Sequence, residues 1–172
     1  MSATTIETHR FADDGIVPNN PALPLVVYRG ALPAGGDRAG ACESMFAEHG
    51  WPDAWRNGIH AHHHYHSTAH EVLGIVRGSA RVRLGGERGR TVELNAGDVV
   101  VIPAGIAHKR EAASSDLLVI GAYPRGQQPD MRHADSAVHD RALAAIAKVP
   151  LPAADPVTGR ADPLLECWRE AP

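Results

Sequence analysis

Six of the eleven histidines in this 172-residue chain crowd between His60 and His70. The run lies mid-chain and is broken by Ala61 and Tyr65, so it is not an expression tag and calls for a chemical reason. Along an extended strand side chains alternate faces, which puts His64 and His66 on one side, about 7 Å apart at their Cα atoms. Imidazoles so placed can converge on one ion at metal–nitrogen distances of about 2.1 Å. A further ligand must come from a neighbouring strand. Glu71 opens the next run after a Ser-Thr-Ala-His link, and His108 follows a rigid Pro103-Ala104-Gly105 corner that can aim it at the same point.

Each of these residues also has a blander reading. His70 neighbours Glu71, is a competent ligand itself, and faces the other side of a regular strand. Periodicity leaves the choice open, because Leu73 and Ile75 fit an inward Glu71 whereas Val72 and Val76 fit an inward His70. One β-bulge would exchange the two. His60 and His62 share the face of His64 by alternation. They either line a cavity, where they could serve as acid–base groups beside His70, or stand at the solvent end of a strand. His63 and Tyr65 point the other way and read as packing residues. Tyr123 and Arg77 could enter the pocket, though a structural role fits each better; Trp51, Trp55 and Trp168 read as core or interface anchors, although one flanking the cavity could hold an apolar substrate. Gly78, Gly97 and Gly105 read as backbone devices.

The elements that would position these residues follow from the pattern around them. Between Gly58 and Tyr123 short apolar–polar alternations are punctuated by glycine. They run over Ile59–His66, Glu71–Arg77, Ala80–Leu84, Thr91–Leu94, Asp98–Ile102 and Leu117–Tyr123. Regular short strands with turn signals predict an all-β sandwich or barrel. Gly85-Gly86 and Asn95-Ala96-Gly97 read as hairpin breaks. Residues 1–24 are polar and proline-punctuated, an arm over the domain, and Leu25–Tyr28 is a first strand. Cys42–His49 has helical spacing with Gly50 as its stop. Beyond Pro124, Ser136–Lys148 is an amphipathic helix, and Leu164, Leu165 and Trp168 pin the last segment to the barrel. The whole is one domain over 1–172, with a barrel core at about 58–123, an N-terminal arm over 1–57, and a helix and strap over 124–172.

Composition narrows the partners. A net charge of −3 without any Lys/Arg cluster argues against nucleic acid or an anionic membrane surface. No stretch approaches the roughly 20 apolar residues that span a bilayer. The N-terminus carries no apolar signal region, and Cys42 and Cys167 show no paired spacing. The plain reading is two reduced thiols in the cytoplasm, with a disulfide as the alternative.

Gly58, His64, His66, Glu71 and Gly78 match the first cupin box, G-x5-H-x-H-x3,4-E-x6-G. Gly97, Pro103, Gly105 and His108 match the second, G-x5-P-x-G-x2-H-x3-N, except that Ala112 replaces its terminal asparagine. Nine positions in register make the resemblance specific. It narrows further to the YjlB-type monocupins through GIVPNNPALPLVVYRGAL, AGDVVVIPAGIAHKR, GAYPRGQ and the C-terminal VPLP…DPVTG…PLL…W, covering nearly the whole chain. The resemblance implies a double-stranded β-helix (jelly-roll) barrel and a homodimer. It favours Glu71 over His70 as the ligand beside His64, His66 and His108.

Three neutral imidazoles and one carboxylate suit a divalent Fe, Mn, Ni or Zn ion and leave positions open for a ligand. The expected function is therefore a metal-dependent enzyme on a small organic molecule, dioxygenase-, isomerase- or lyase-like. The alternatives are a small-molecule sensor without turnover, or a barrel whose metal is structural.

Overall fold

The computed structural model describes residues 4–169. Its strands run β1 (Thr5–His9), β2 (Leu25–Arg29), β3 (Trp55–Asn57), β4 (His64–Tyr65), β5 (Glu71–Arg77) and β6 (Ser79–Leu84). They continue with β7 (Arg90–Asn95), β8 (Val99–Ile102), β9 (His108–Ala113), β10 (Leu118–Ala122) and β11 (Arg132–His133). All pair antiparallel, in two sheets ordered β1-β2-β8-β5-β10-β3 and β11-β4-β9-β6-β7. The architecture is an all-β jelly-roll barrel.

Alternation along each strand divides the apolar residues between two cores. Leu25, Val27, Leu73, Ile75, Val82, Leu84, Val100 and Ile102 fill the space between the sheets. Their neighbours Val26, Tyr28, Val72, Val76, Val99 and Val101 face outward from the six-stranded sheet. That outer face is not wet. Helix α1 (Arg38–Glu48) lays Cys42 and Phe46 on it, and Leu164 and Trp168 of helix α3 (Leu164–Arg169) close the rest. A sheet covered on both faces reads as a continuous apolar run, which is why periodicity alone could not orient β5. Gly74 marks the closest approach of α1, since a Cβ there would stand 2.6 Å from the Cys42 sulfur.

The helix expected over Ser136–Lys148 begins as a 3-10 turn at Ser136–Val138 and continues as α2 (His139–Ile146). Three expectations need correction. The run Ile59–His66 is not one strand: only His64–Tyr65 pairs, and residues 58–63 form an irregular approach to it. Asn95-Ala96-Gly97 is not a hairpin but a crossover carrying the chain from β7 in one sheet to β8 in the other. Gly97 adopts φ +105 there and donates its N–H to the Ile75 carbonyl at 2.8 Å, which fixes the crossing. Leu25–Tyr28 is not the first strand, because Thr5–His9 precedes it and pairs antiparallel with it. Gly85-Gly86 does turn a hairpin, from β6 into β7.

The N-terminal arm has a structural task. Buried Asn19 donates to the carbonyls of Ala12 and Gly85 and accepts from the Ala107 N–H, while Asn20 donates to the Ala104 carbonyl. Both asparagines grip the 103–107 corner that precedes β9. Gly105 turns that corner at φ +96, where a Cβ would meet the Asn19 carbonyl at 2.4 Å. At the other end, the carboxylate of buried Asp155 accepts from the Tyr28 hydroxyl at 2.6 Å and from the N–H groups of Val157, Thr158 and Leu164. This ties the C-terminal strap to the barrel.

Candidate metal centre

β4 and β9 bring the first two imidazoles together through backbone register. His64 pairs directly with His108, and their rings lie 4.1 Å apart. His66 follows β4 and donates no strand pair. Its carbonyl accepts from the Gly105 N–H at 2.8 Å, so the corner that aims His108 also holds His66. Ligand nitrogens of His64, His66 and His108, all three buried, fall within 4.8 Å of one another. Glu71 opens β5 on the inner face and presents Oε1 to His108 Nε2 at 3.2 Å and Oε2 to His66 Nε2 at 3.4 Å.

The proton positions follow from the partners. Nδ1 of His64 lies against the His62 carbonyl, Nδ1 of His66 against the Asp130 carbonyl at 2.5 Å, and Nδ1 of His108 against the Ile106 carbonyl. A carbonyl only accepts, so each Nδ1 carries hydrogen and each neutral ring turns an Nε2 lone pair inward. Burial drives the pKa of His64 down to about 3 and keeps it neutral. Burial would raise that of Glu71, but a proton on the Nε2 atoms of His108 and His66 that face it would outweigh burial and hold the carboxyl well below the usual range. For His66 burial pulls downward, yet Glu71 and Asp130 carry the net shift upward. The result is a set of acceptor atoms facing one another across contacts that need a cation between them. A proton on His66 meets that need in one way and a divalent metal in another. The donor set therefore fits a metal of the kind expected.

These four residues line part of a cavity of about 410 Å³. Its other walls include Trp55, Ile59, Leu73 and Tyr123, with His60 and Met131 at the exposed rim. Gly121 makes room for Trp55, because a Cβ at Gly121 would stand 2.0 Å from the indole. The indole N–H donates to the Tyr123 hydroxyl at 3.2 Å, leaving that hydroxyl's own hydrogen for another partner. Burial and then the Glu71 charge raise the Tyr123 pKa well above its ordinary value.

His60, His62 and His70 part company. His60 lines the cavity with its ring edge-on to His64 at 4.7 Å, and burial lowers its pKa. His62 is exposed and leads away, 5.4 Å from His60 and 5.2 Å from His133. Strand alternation, the reason given for grouping them with His64, does not apply in the irregular 58–63 segment. His70 is buried on the opposite face of the sheet, 4.8 Å from the Trp168 ring, with Nδ1 accepting from the Ala104 N–H at 2.9 Å. It lies away from the cavity. Burial lowers its pKa to about 4, against a weaker pull from the Pro150 carbonyl. Tyr65 is packed with Val17, Ala107 and Ala142, as its outward alternation required. Arg77 bonds the Asp116 carbonyl outside the cavity.

Sequence reasoning missed Asp130. Its carboxylate accepts from the Ser67 N–H at 2.6 Å, from the Ser67 hydroxyl and from Arg132, while its carbonyl orients His66. It sits 64 residues from His66 in sequence, and no periodicity could have linked the two. Tyr123, for which the sequence favours a structural role over entry into the pocket, lines the cavity.

A cupin-domain family model matches residues 55–120. The uncharacterized protein YjlB of Bacillus subtilis (strain 168) is 44% identical over 162 residues, covering 94% of this chain and 96% of the relative. Among solved structures, the acireductone dioxygenase of Bacillus anthracis, with cadmium in its active centre, aligns at TM-score 0.38 and 18% identity over 54% of this chain and 63% of that one. The WlaRB TDP-quinovose 3,4-ketoisomerase of Campylobacter jejuni aligns at TM-score 0.41 and 15% identity over 54% and 74%. Likenesses this partial carry no argument about activity.

Proposed function

The chain belongs to the YjlB family of cupin-domain proteins, and from that premise we propose that it is an enzyme acting on a small organic molecule at one divalent metal ion. His64, His66, Glu71 and His108 are its ligands in this reading, and Fe(II), Mn(II), Ni(II) or Zn(II) suits their mixed donors. One observation carries it: the Nε2 atoms of three buried histidines and the Glu71 carboxylate converge at an open cavity. An ion held there would polarise a substrate oxygen as a Lewis acid.

The surrounding side chains divide the remaining work. His60 is the imidazole placed to take or give a proton at the cavity. The Tyr123 hydroxyl, kept protonated by burial and by Glu71, donates a hydrogen bond to a bound oxygen. Trp55, Ile59 and Leu73 supply an apolar wall that thins out water. The reading extends to a homodimer in the cytoplasm. β1 is an edge strand of its sheet with no partner on its outer side among the described residues, and it offers a row of backbone groups for a second chain.

Cobalt(II) loading tests the open site. The metal-replete protein should show visible absorption bands that shift on adding acetohydroxamate, a two-oxygen chelator. Bands indifferent to the chelator would indicate saturated coordination and a structural metal, and the enzyme reading would fall.

A further inference from the structure

Alternation along β9 places Arg110 on the same face as His108, opposite Val82 of the barrel core. Its neighbours diverge from it. Lys109 stands opposite Arg83 on the outer face, and Glu111 occupies the register shift in this strand pair and bonds Arg83 at 2.6 Å. The Arg110 N–H is fixed to the His60 carbonyl at 2.8 Å, and the half-buried side chain lines the cavity.

Four other arginines around the barrel are matched. Arg56 pairs with Glu43, Arg83 with Glu111, Arg132 with Asp130, and Arg29 with Glu7 and Asp98. Arg110 alone of this set has no hydrogen bond or ion pair on its guanidinium among the described residues. Among the described residues the one carboxylate lining the cavity, Glu71, is buried and faces His66 and His108. A half-buried planar cation without a counterion, facing a cavity, is a binding group short of its ligand.

We propose that Arg110 receives the carboxylate of the ligand, so that the cavity takes small organic carboxylates whose other end reaches the histidine cluster. The fork of the guanidinium matches a carboxylate in two parallel hydrogen bonds. A phosphate is disfavoured because no lysine and no helix N-terminus lines the cavity to share its charge. The inference rests on the cavity being the ligand site but does not depend on which metal is bound.

Calorimetric titration with acetate, glutarate and benzoate, with glutaramide as the neutral control and inorganic phosphate as the rival anion, tests it. Protein is used both cobalt-loaded and metal-free. At least one carboxylate should bind, with glutaramide and phosphate weaker than glutarate by about ten-fold or more. Arg110→Gln should lose about ten-fold or more, and Arg110→Lys should fall between, with metal content and thermal midpoint unchanged in both. Equal binding of glutarate and glutaramide, a preference for phosphate, wild-type affinity in Arg110→Gln, or no carboxylate binding at all overturns the proposal. Absence of stoichiometric metal would instead strike the metal reading, and the Arg110 dependence would still be judged on the metal-free protein.

Discussion

At the scale of single residues, metal binding would turn on which atom of each imidazole is committed. Backbone carbonyls hold the Nδ1 hydrogens of His64, His66 and His108, so only Nε2 remains to bind inward. Glu71 and His70 separate on the same principle. Glu71 faces the cluster, whereas His70 spends its Nδ1 on the Ala104 N–H on the far side. Glu71→Gln should therefore lower metal retention by about ten-fold or more, and His70→Ala far less. Greater loss from His70→Ala, read by equilibrium dialysis, would reverse the assignment. His70 also carries a pH signature. In the unfolded chain it takes up a proton below its ordinary value of 6.5, but in the native protein only near 4. As pH falls through that window the unfolded state binds the extra proton, so stability present at neutral pH is lost, up to about 3 kcal/mol. Denaturant titrations of metal-free protein at pH 7 and pH 4 should show a smaller loss for His70→Gln than for wild type.

At the scale of elements, the site is a product of one short strand pair and of segments with no regular structure. β4 is two residues long, and its direct pairing with β9 sets His64 against His108. The loop from His66 to His70 is held from outside by residues 127–130, through Asp130, Gln128 and Gln127. Asp130→Ala should weaken metal binding by about 10- to 100-fold while leaving the strands intact by circular dichroism. Gly121→Ala should expel the Trp55 indole from its seat on β10, seen as a change in tryptophan emission and a loss of ligand affinity at unchanged metal content. The strands rich in Val, Ile and Leu were legible in the sequence, and Glu71–Arg77 falls where its alternation put it. β1, β3, β9 and β11 were not, because TIETH, WRN, HKREAA and RH are polar segments whose strand character comes from their partners rather than their own pattern. The same limit concealed Arg110, which reads as one charge in a polar stretch until β9 gives it a face.

At the scale of the whole molecule, both ends of the chain brace the barrel. The arm reaches the 103–107 corner through Asn19 and Asn20, and the strap fastens through Asp155 and through the Trp168 indole N–H on the Pro24 carbonyl. Asn19→Ala leaves the buried Ala107 N–H without an acceptor and should cost about 1–3 kcal/mol in chemical denaturation. It should also loosen metal binding, because Ala107 immediately precedes His108. Among the described residues no helix is long and apolar enough to cross a membrane. The nine motif positions made the barrel and its histidine cluster legible from the sequence. The arm's grip on the corner, a matter of two asparagines and their distant carbonyls, was not.

The most direct test is the metal content of the protein purified without chelator or affinity metal, measured by elemental analysis beside a His64→Ala variant. About one equivalent of a divalent transition metal is expected in the wild type, retained through dialysis and absent from the variant. A wild-type protein that carries no stoichiometric metal and cannot be loaded with one would contradict that expectation.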